Sequence, residues 1–248
     1  MMDHAAVATG LRKVFPGPVE AVSGIDLSLD RGSVTALLGP TGCGKSTILR
    51  MLGGLDSPTS GEVRLSSGIS TGFCFQEPRL LPWRSVRRNV ALPLELEGRT
   101  ASQIDERVER ELHKVGLVDA ADRLPAALSG GMKMRTAVAR TLVTDPSLLL
   151  LDEPFGALDE VTRYRLDEEL AELVRDAGPT VVIVTHSISE AVFLADEVLV
   201  LGPRPARVLE RFEIDLGHRD AELRSTPEFG RLQSRIYEVL RSGMEASP

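Results

Sequence analysis

Residues 39–47 read Gly39-Pro40-Thr41-Gly42-Cys43-Gly44-Lys45-Ser46-Thr47, and this stretch decides the fold of the chain. It fits the pattern G-x-x-x-x-G-K-[ST], which chance could also produce. The apolar run at 34–38 predicts a strand before it, and residues 48–52 predict a helix after it. This order of strand, glycine-rich loop and helix argues against chance and predicts a site for a polyphosphate.

The residue types in this stretch, the phosphate loop, suit a nucleotide with a magnesium ion. Glycines let successive backbone N–H groups converge on phosphate oxygens, beside the positive end of the helix dipole. Lys45 can reach the outer phosphates, and Ser46 can offer a hydroxyl to Mg²⁺, which prefers oxygen ligands. Oxidation of Cys43 could block the nucleotide, but packing as a small hydrophobe is the simpler interpretation.

The composition is that of a globular protein and argues against several classes. The 248 residues, 42% hydrophobic and 26% charged, suffice for one large α/β domain or a core with an inserted lobe. A net charge of −7 argues against non-specific binding to nucleic acid or an anionic membrane. Cys43 and Cys74 have neither metal nor disulfide spacing, and no stretch resembles a membrane span or signal peptide. We therefore expect a soluble, intracellular protein.

Short strands are predicted around the phosphate loop, at 7–9, 21–22, 25–29, 60–65 and 71–75. Phe15 falls in a predicted loop, where stacking on a purine and packing on the sheet are both open. Gln76 directly follows the last of these strands. The next loop exposes Leu80, Leu81 and Trp83 between two prolines, either as an interface with a partner or as a buried hydrophobic loop.

Residues 85–144 are mostly helical in pattern. Ser102 to Asp105 predicts a capping box, and the helix after it ends at Gly116. The sequence Leu128-Ser129-Gly130-Gly131-Met132 opens another helix. Its start is either a second anion site or a simple turn.

Two buried strands end in side chains that can do chemistry. Residues 147–151 lead into Asp152 and Glu153, and residues 180–185 lead into His186. The C-terminal edge of a parallel sheet is where α/β folds bind ligands. There Asp152 can hold Mg²⁺ through water, and Glu153 can polarise the water that attacks the γ-phosphate. An acidic strand end and a structural histidine are the alternatives.

The remaining patterns concern the end of the chain. A helix is predicted at about 161–176, a capping box at Ser187 to Glu190, and a strand at 197–201 that closes the sheet. Beyond it, a strand at 207–214 and a helix from Thr226 to about Gly243 form a short appendage.

Together these motifs resemble the ATP-binding subunit of an ABC transporter, over residues 7–201. The motifs are the phosphate loop, Gln76, Leu-Ser-Gly-Gly-Met, Leu-Leu-Leu-Leu-Asp-Glu-Pro, Ala157-Leu158-Asp159 and His186. The sequence from Gln76 to Trp83 and the sequence Pro203-Arg204-Pro205 resemble those of the nitrate/sulfonate/taurine importer group. The resemblance implies an α/β, P-loop NTPase (RecA-like) core with an N-terminal antiparallel β subdomain and a helical subdomain inserted at about 85–144. We expect an ABC ATPase domain at 1–202 and the appendage at 203–248.

The resemblance also implies a role for each motif residue. Phe15 would stack on adenine, and Glu153, His186 and Lys45 would be catalytic, as general base, γ-phosphate sensor and phosphate ligand. Mg²⁺ would be held by Ser46, Gln76 and Asp152. The phosphates of ATP would be held by Gly39, Pro40, Thr41, Gly42, Cys43, Gly44, Lys45, Ser46 and Thr47. Contacts across a dimer of two ATPase subunits, to the other subunit or its ATP, would come from Ser129, Gly130, Gly131 and Asp159.

The implied function is ATP hydrolysis that powers an importer of a small anion such as nitrate, sulfonate or taurine. The partners would be a second ATPase subunit, a transmembrane permease whose cytoplasmic helix lies near Leu80 to Trp83, and indirectly an extracytoplasmic binding protein. No nucleic acid is expected, and the chain would lie peripherally on the cytoplasmic face of the cell membrane. Many members carry Gln where this chain has Met132, and we expect activity to survive that difference.

Three other functions compete with this interpretation. An exporter or lipid-transport ATPase would share every motif. A non-transport ABC ATPase of DNA repair would need long coiled-coil insertions, and no sustained heptad run occurs here. A P-loop kinase would leave the Ser-Gly-Gly sequence and His186 without a role.

Overall fold

The computed structural model describes residues 3–17, 19–156 and 159–245, with the backbone alone for 175–177. Residues 157 and 158 of the predicted Ala157-Leu158-Asp159 motif lie outside the described residues. The strands are β1 His4–Phe15, β2 Val19–Asp30, β3 Val34–Leu38, β4 Ser60–Leu65, β5 Thr71–Cys74, β6 Leu148–Asp152, β7 Thr180–Thr185, β8 Glu197–Leu201 and β9 Val208–Glu213. The helices are α1 Lys45–Leu52, α2 Val86–Leu96, α3 Ala101–Lys114, α4 Gly130–Leu142, α5 Glu160–Ala177, α6 Ile188–Leu194 and α7 Pro227–Glu245, with short 3₁₀ turns at Val118–Ala120, Pro125–Ala127 and Ala221–Ser225.

The larger sheet has the strand order β5-β6-β7-β3-β8-β9 and is parallel except for β9. Strands β6 and β7 are buried along their whole length, as continuous apolar runs between two covered faces should be. The prediction that β8 closes the sheet is wrong, because β9 pairs antiparallel with β8 and forms the edge. The tail of the chain therefore supplies a strand of the main sheet.

The smaller sheet is antiparallel, with the order β2-β1-β4. Strands β1 and β2 are longer than the short predicted runs, since register shifts let the pairing continue past positions that break the alternation. Phe15 is the last residue of β1 rather than part of a loop, which corrects the prediction for this residue. Its position at the strand end brings it towards the phosphate loop.

Three apolar clusters form the core. One lies between the larger sheet and helices α4 to α7, a second lies between the two sheets and α1, and a third joins α2, α3 and α4. Leu80 and Leu173 pack against both the first and the third cluster. The helical layer thus has its own core, and α4 takes part both in that core and in the cluster on the larger sheet. No described helix is long and apolar enough to cross a membrane.

Two predicted capping boxes differ in detail from the structure. Helix α3 begins two residues earlier than predicted, because Thr100 and Gln103 form the capping box. The Thr100 side chain accepts a hydrogen bond from the Gln103 N–H, and the Gln103 side chain accepts one from the Thr100 N–H. At α6, Ser187 Oγ accepts a hydrogen bond from the Glu190 backbone N–H, as predicted. The Glu190 carboxyl group does not complete the box; it is buried and faces Asp167 of α5 instead.

Candidate active site

The phosphate loop connects β3 to α1 and curls tightly between them. Gly44, the residue before α1, has a φ of 126°, and a Cβ there would lie 2.5 Å from the Ala21 carbonyl oxygen. A Cβ at Gly39 would lie 2.9 Å from the Leu201 carbonyl oxygen. Because neither position has room for a Cβ, glycine lets the loop pack closely against Ala21 and Leu201. The backbone N–H groups of the loop then lie at the start of α1.

A cavity of about 240 Å³ opens beside this loop. It lies where the end of β1, the start of α1 and the C-terminal ends of β5 and β6 meet, the edge at which α/β sheets bind ligands. The residues that line it are Phe15, Ala21, Thr41, Gly42, Gly44, Lys45, Ser46, Thr47, Gln76, Glu153 and Arg204.

Lys45 is buried at the floor of this cavity, with 3% of its surface exposed. Its Nζ donates hydrogen bonds to the carbonyl oxygens of Gly39, at 2.8 Å, and Pro40, at 3.0 Å. The same atom lies 3.6 Å from Glu153 Oε1. A buried ammonium group with only weak carbonyl acceptors and one carboxylate nearby is a strong binding point for an anion.

Ser46 and Asp152 form an oxygen pair beside Lys45. Ser46 Oγ donates a hydrogen bond of 2.7 Å to Asp152 Oδ1. Burial raises the pKa of Asp152, and the hydrogen bond from Ser46 works against that rise. Hydroxyl and carboxylate oxygens suit Mg²⁺, which takes few protein ligands and completes its shell with water and phosphate. The described part of the chain holds no cluster of three or more His, Cys, Asp or Glu side chains able to bind a metal.

Glu153 is the point on which the neighbouring side chains converge. Gln76 Nε2 donates a 3.2 Å hydrogen bond to Glu153 Oε2, and His186 Nδ1 lies 3.2 Å from the same oxygen. Glu153 has a φ of 44°, which is uncommon for a residue with a Cβ, and its N–H is held by the Val184 carbonyl oxygen at 3.0 Å. The left-handed backbone turns the carboxylate away from the strand direction and over the end of the sheet.

The Ser-Gly-Gly sequence and Asp159 do not line this cavity. Ser129 caps α4 by accepting a hydrogen bond from the Met132 N–H, and its side chain and Gly130 are exposed. Asp159 caps α5 in the same way, and the hydrogen bonds from Thr162 lower the pKa of this exposed carboxyl group. The two helix starts are neighbours, since a Cβ at Gly131 would lie 3.8 Å from Thr162 Cγ2.

The loop after Gln76 is held in place by a half-buried arginine and a buried asparagine from the helical layer. Arg140 of α4 donates to the carbonyl oxygens of Pro78, at 2.7 Å, and Arg79, at 3.0 Å, and burial lowers the pKa of its guanidinium. Asn89 of α2 exchanges hydrogen bonds with Leu81 and also donates to the carbonyl oxygens of Arg84 and Ser85. These bonds restrain the loop from both sides.

The predicted exposure of this loop holds for one residue and fails for others. Trp83 is 73% exposed, whereas Leu80 is half-buried against two core clusters and Leu81 is half-buried. The reason is that the Asn89 bonds pull the chain at Leu81 towards α2 and turn only the tip of the loop outward.

Sequence reasoning missed three residues around the site. Arg204 lines the cavity, Gly156 leaves room for Glu153 and His186, and Arg140 anchors the loop. A Cβ at Gly156 would lie 3.3 Å from Glu153 Oε2 and 3.4 Å from His186 Cε1. The sequence Pro203-Arg204-Pro205 was noted only for its resemblance to the importer group, and Arg140 stood in α4 without a predicted role. Cys43 is buried and its pKa is raised by burial, which agrees with its interpretation as a packing residue.

Comparison with known proteins places this geometry in a family. A family model described as ABC transporter matches residues 22–156. The chain is 42% identical to the taurine import ATP-binding protein TauB of Yersinia pestis over 84% of this chain and 87% of that protein. It is 41% identical to the aliphatic sulfonates import ATP-binding protein SsuB 2 of Burkholderia cenocepacia, over 93% and 85% of the two chains.

Among solved structures, the chain is similar to a dimeric ATP-binding cassette in a post-hydrolysis state with bound ADP and Pi. The TM-score is 0.74 at 28% identity, over 85% of this chain and 99% of that chain. The predicted P-loop NTPase fold is thereby confirmed. The chain belongs to the ABC transporter family, as one of its ATPase subunits.

Proposed function

We propose that this chain is the ATP-hydrolysing subunit of an ABC importer for small anions of the sulfonate class, such as taurine or an alkyl sulfonate, with nitrate as a related anion. The observation that carries the proposal is the convergence of Lys45, Gln76 and His186 on Glu153 beside the phosphate loop. The import function and the anion class rest on the similarity to proteins named for taurine and aliphatic sulfonate import.

The chain's own groups account for binding of the nucleotide. The N–H groups of residues 39–47 and the ammonium group of Lys45 bind the phosphates, so that Lys45 exchanges its bonds to Gly39 and Pro40 for phosphate oxygens. Phe15, on the exposed wall of the cavity, offers a ring face to adenine. Ser46, Gln76 and Asp152 would hold Mg²⁺, which when bound neutralises charge on the phosphate oxygens.

Glu153 acts as the general base in the hydrolytic step. Its carboxylate lies at the open edge of the sheet, within reach of a water molecule between it and the phosphate site. Gln76 and His186 hold one of its oxygens, so the other is oriented towards the cavity and Lys45. His186 is exposed on its other side and can contact the γ-phosphate, which orders the attacking water relative to the phosphorus.

A second copy of the chain completes the site. Ser129 and Gly130 are exposed at the start of α4 and Gly131 is buried directly after them; all three lie outside the cavity of their own chain. They would contact the γ-phosphate held by the other subunit, with the neighbouring Asp159 in the same interface. ATP then favours the closed dimer because it binds that state more tightly, and hydrolysis of ATP allows the dimer to open again.

The permease attaches near the loop from Leu80 to Trp83. Trp83 projects from a loop that Arg140 and Asn89 restrain, and an exposed tryptophan on a rigid support is a typical anchor for a protein partner. The chain is thus held peripherally at the cytoplasmic face of the membrane, and an extracytoplasmic binding protein delivers the anion. No nucleic acid is involved.

The decisive test of the chemistry is Glu153→Gln in the purified chain. The variant keeps the hydrogen bonds around the site but loses the base, so we expect ATP binding to persist, turnover to fall by about a hundredfold or more, and ATP to stabilise a dimer. Turnover is measured by phosphate release and dimerisation by size-exclusion chromatography with and without ATP. Wild-type turnover in this variant would contradict the assignment of the base.

The importer class is tested by purification of the tagged chain from solubilised membranes. Recovery of a multi-span permease, with uptake of labelled taurine that stops in the Glu153→Gln strain, is the expected result. A Trp83→Ala variant should lose the permease yet hydrolyse ATP in solution as the wild type does. Recovery of a permease without any effect on anion uptake would point to another transporter class.

A further inference from the structure

Arg224, in the 3₁₀ turn at Ala221–Ser225 of the tail, lies buried between two helices that lead to the active site. Its guanidinium carbon is 3.6 Å from the ring centre of Phe193 on α6 and 4.3 Å from that of Tyr164 on α5. The side chain is 11% exposed. A guanidinium group stacked between two rings is confined in direction as well as in position.

The same guanidinium group pairs with acidic side chains of α5. Arg224 Nη2 donates a 2.8 Å hydrogen bond to Asp167 Oδ2, and Nη1 lies 3.3 Å from Glu168 Oε1. Asp167 is completely buried because it lies on the apolar stripe of α5, together with Leu166 and Leu170. A buried carboxylate in this position needs a charged or hydrogen-bonded partner, and Arg224 provides it from the tail.

Asp167 in turn faces Glu190 on the first turn of α6. Both carboxyl groups are buried, and burial raises the pKa of each. The charged groups that act on this pair are Arg224 from the tail, Arg163 from α5 and Glu153 from the active site. The pair therefore joins α5 to α6 through polar contacts within an apolar core.

These two helices carry proposed site residues at their N-terminal ends. Asp159 caps α5, and Ser187, which caps α6, directly follows His186. His186 Nδ1 lies 3.2 Å from Glu153 Oε2, so a change in the contact between the helices at Asp167 and Glu190 would alter this distance by displacing the start of α6. Glu190 lies only four residues after His186, so little chain separates the buried pair from the site.

We propose that Arg224 is a positioning residue for ATP hydrolysis, which acts from the tail by fixing α5 against α6 and so setting the distance between His186 and Glu153. The inference rests on the proposed function, since it assigns His186 to the hydrolytic step. Arg224 itself does not line the cavity. The tail is then part of the catalytic framework.

Arg224→Gln tests the proposal through the separation of kcat from KM for ATP. Because the phosphate loop is far along the chain from Arg224 and unaltered, we expect KM within about twofold of wild type, whereas misplacement of His186 lowers kcat about tenfold to a hundredfold. Arg224→Lys keeps the charge but loses the stacked fork, and we expect an intermediate kcat. Arg231→Gln removes an exposed ion pair with Glu228 on α7 and serves as the matched control with wild-type kinetics.

A double variant separates positioning from general loss of stability. Asp167→Asn with Arg224→Gln removes the buried charge that Arg224→Gln leaves unpaired, so we expect the melting temperature to recover while kcat stays low, because glutamine cannot stack on the Phe193 and Tyr164 rings as the guanidinium group does. All rates are measured well below the melting temperature of each variant. If Arg224→Gln does not fold, Arg224→Lys alone carries the test.

Two outcomes would overturn the inference in different ways. Wild-type kcat in Arg224→Gln and Arg224→Lys, with only a lower melting temperature, would make Arg224 a purely structural residue and leave the proposed function intact. Absence of ATP turnover in the wild-type chain, or full turnover in Glu153→Gln, would overturn the proposed function and this inference with it.

Discussion

Helices α1 and α4 both have a glycine and a hydroxyl side chain within the first residues at their starts, yet their surroundings differ. At α1, the backbone curls around a cavity, Lys45 is buried, and Ser46 bonds to a carboxylate from another strand. At α4, Ser129 and Gly130 are exposed, and the hydroxyl serves only as a cap for the helix. The same local chemistry is enclosed by its own chain in one place and faces outward in the other.

The difference teaches that a helix start becomes a binding site only when other elements complete it. Strand ends from β5, β6 and β7 bring Gln76, Glu153 and His186 to the phosphate loop. Nothing comparable from the described residues reaches the start of α4. This is the arrangement expected if the start of α4 is completed by a second copy, as proposed above.

The largest effect is expected when Lys45 of the phosphate loop is removed. Lys45→Ala leaves the phosphates without their buried cation, and we expect ATP affinity to fall about a hundredfold. Lys133→Ala, the matched change on the first turns of α4, should leave the affinity of the single chain unchanged. Isothermal titration with ATP measures both. Equal losses in the two variants would remove the distinction between the two helix starts.

A negative charge at the start of α4 should block hydrolysis without weakening the binding of ATP at the phosphate loop. Gly130 is exposed at the first position of α4, where a glutamate is compatible with the helix dipole. In Gly130→Glu we expect ATP affinity of the single chain to be retained, ATP-dependent dimerisation to be lost, and kcat to fall about a hundredfold. Full turnover in this variant would show that the start of α4 does not contact the nucleotide.

A smaller effect is expected at the exposed wall of the first cavity. Phe15→Ala removes the proposed stacking surface for adenine, and we expect the dissociation constant for ATP to rise about tenfold. Phe15→Tyr keeps the ring and should bind as the wild type does. A matched titration with inorganic triphosphate should show no difference between the variants; a loss there as well would indicate a packing role for Phe15.

The smallest effect is expected at Met132 of α4. Met132 is half-buried and packs against the core of α2, α3 and α4, while its N–H bonds to Ser129. Met132→Gln preserves that backbone bond and changes only the packing, so we expect kcat to change by less than about twofold. A large gain in kcat would show that the side-chain amide has a role at the second helix start.

Much of the fold followed from local patterns. The continuous apolar runs of β6 and β7 and the glycine at the end of α3 and of α5 marked strands and helix ends where the structure has them. The strand predicted at 207–214 is present as β9, but its pairing with β8 in the main sheet and the length of β1 did not follow, because pairing with a neighbour, rather than the residues' own pattern, decides which sheet a strand joins and how far it continues.

The site was partly predictable because most of its residues directly follow predicted strands. The phosphate loop, Gln76, Glu153 and His186 each follow a strand, so a parallel sheet must bring them to one edge. Arg140 and Gly156 were missed because their contacts join segments that are distant in the sequence or depend on the exact path of a turn. The role of each site residue stays a prediction until the variants above are measured.

The sequence by itself determined the order of elements and the chemistry of the phosphate loop, since helix periodicity, strand hydrophobicity and the freedom of glycine act over a few residues. Only the tertiary structure decided that Asp167 and Glu190 face each other in the core and that Arg224, 57 residues from Asp167, lies beside them. A buried charge is tolerated only where a partner reaches it, and that partner is supplied by the packing of distant segments.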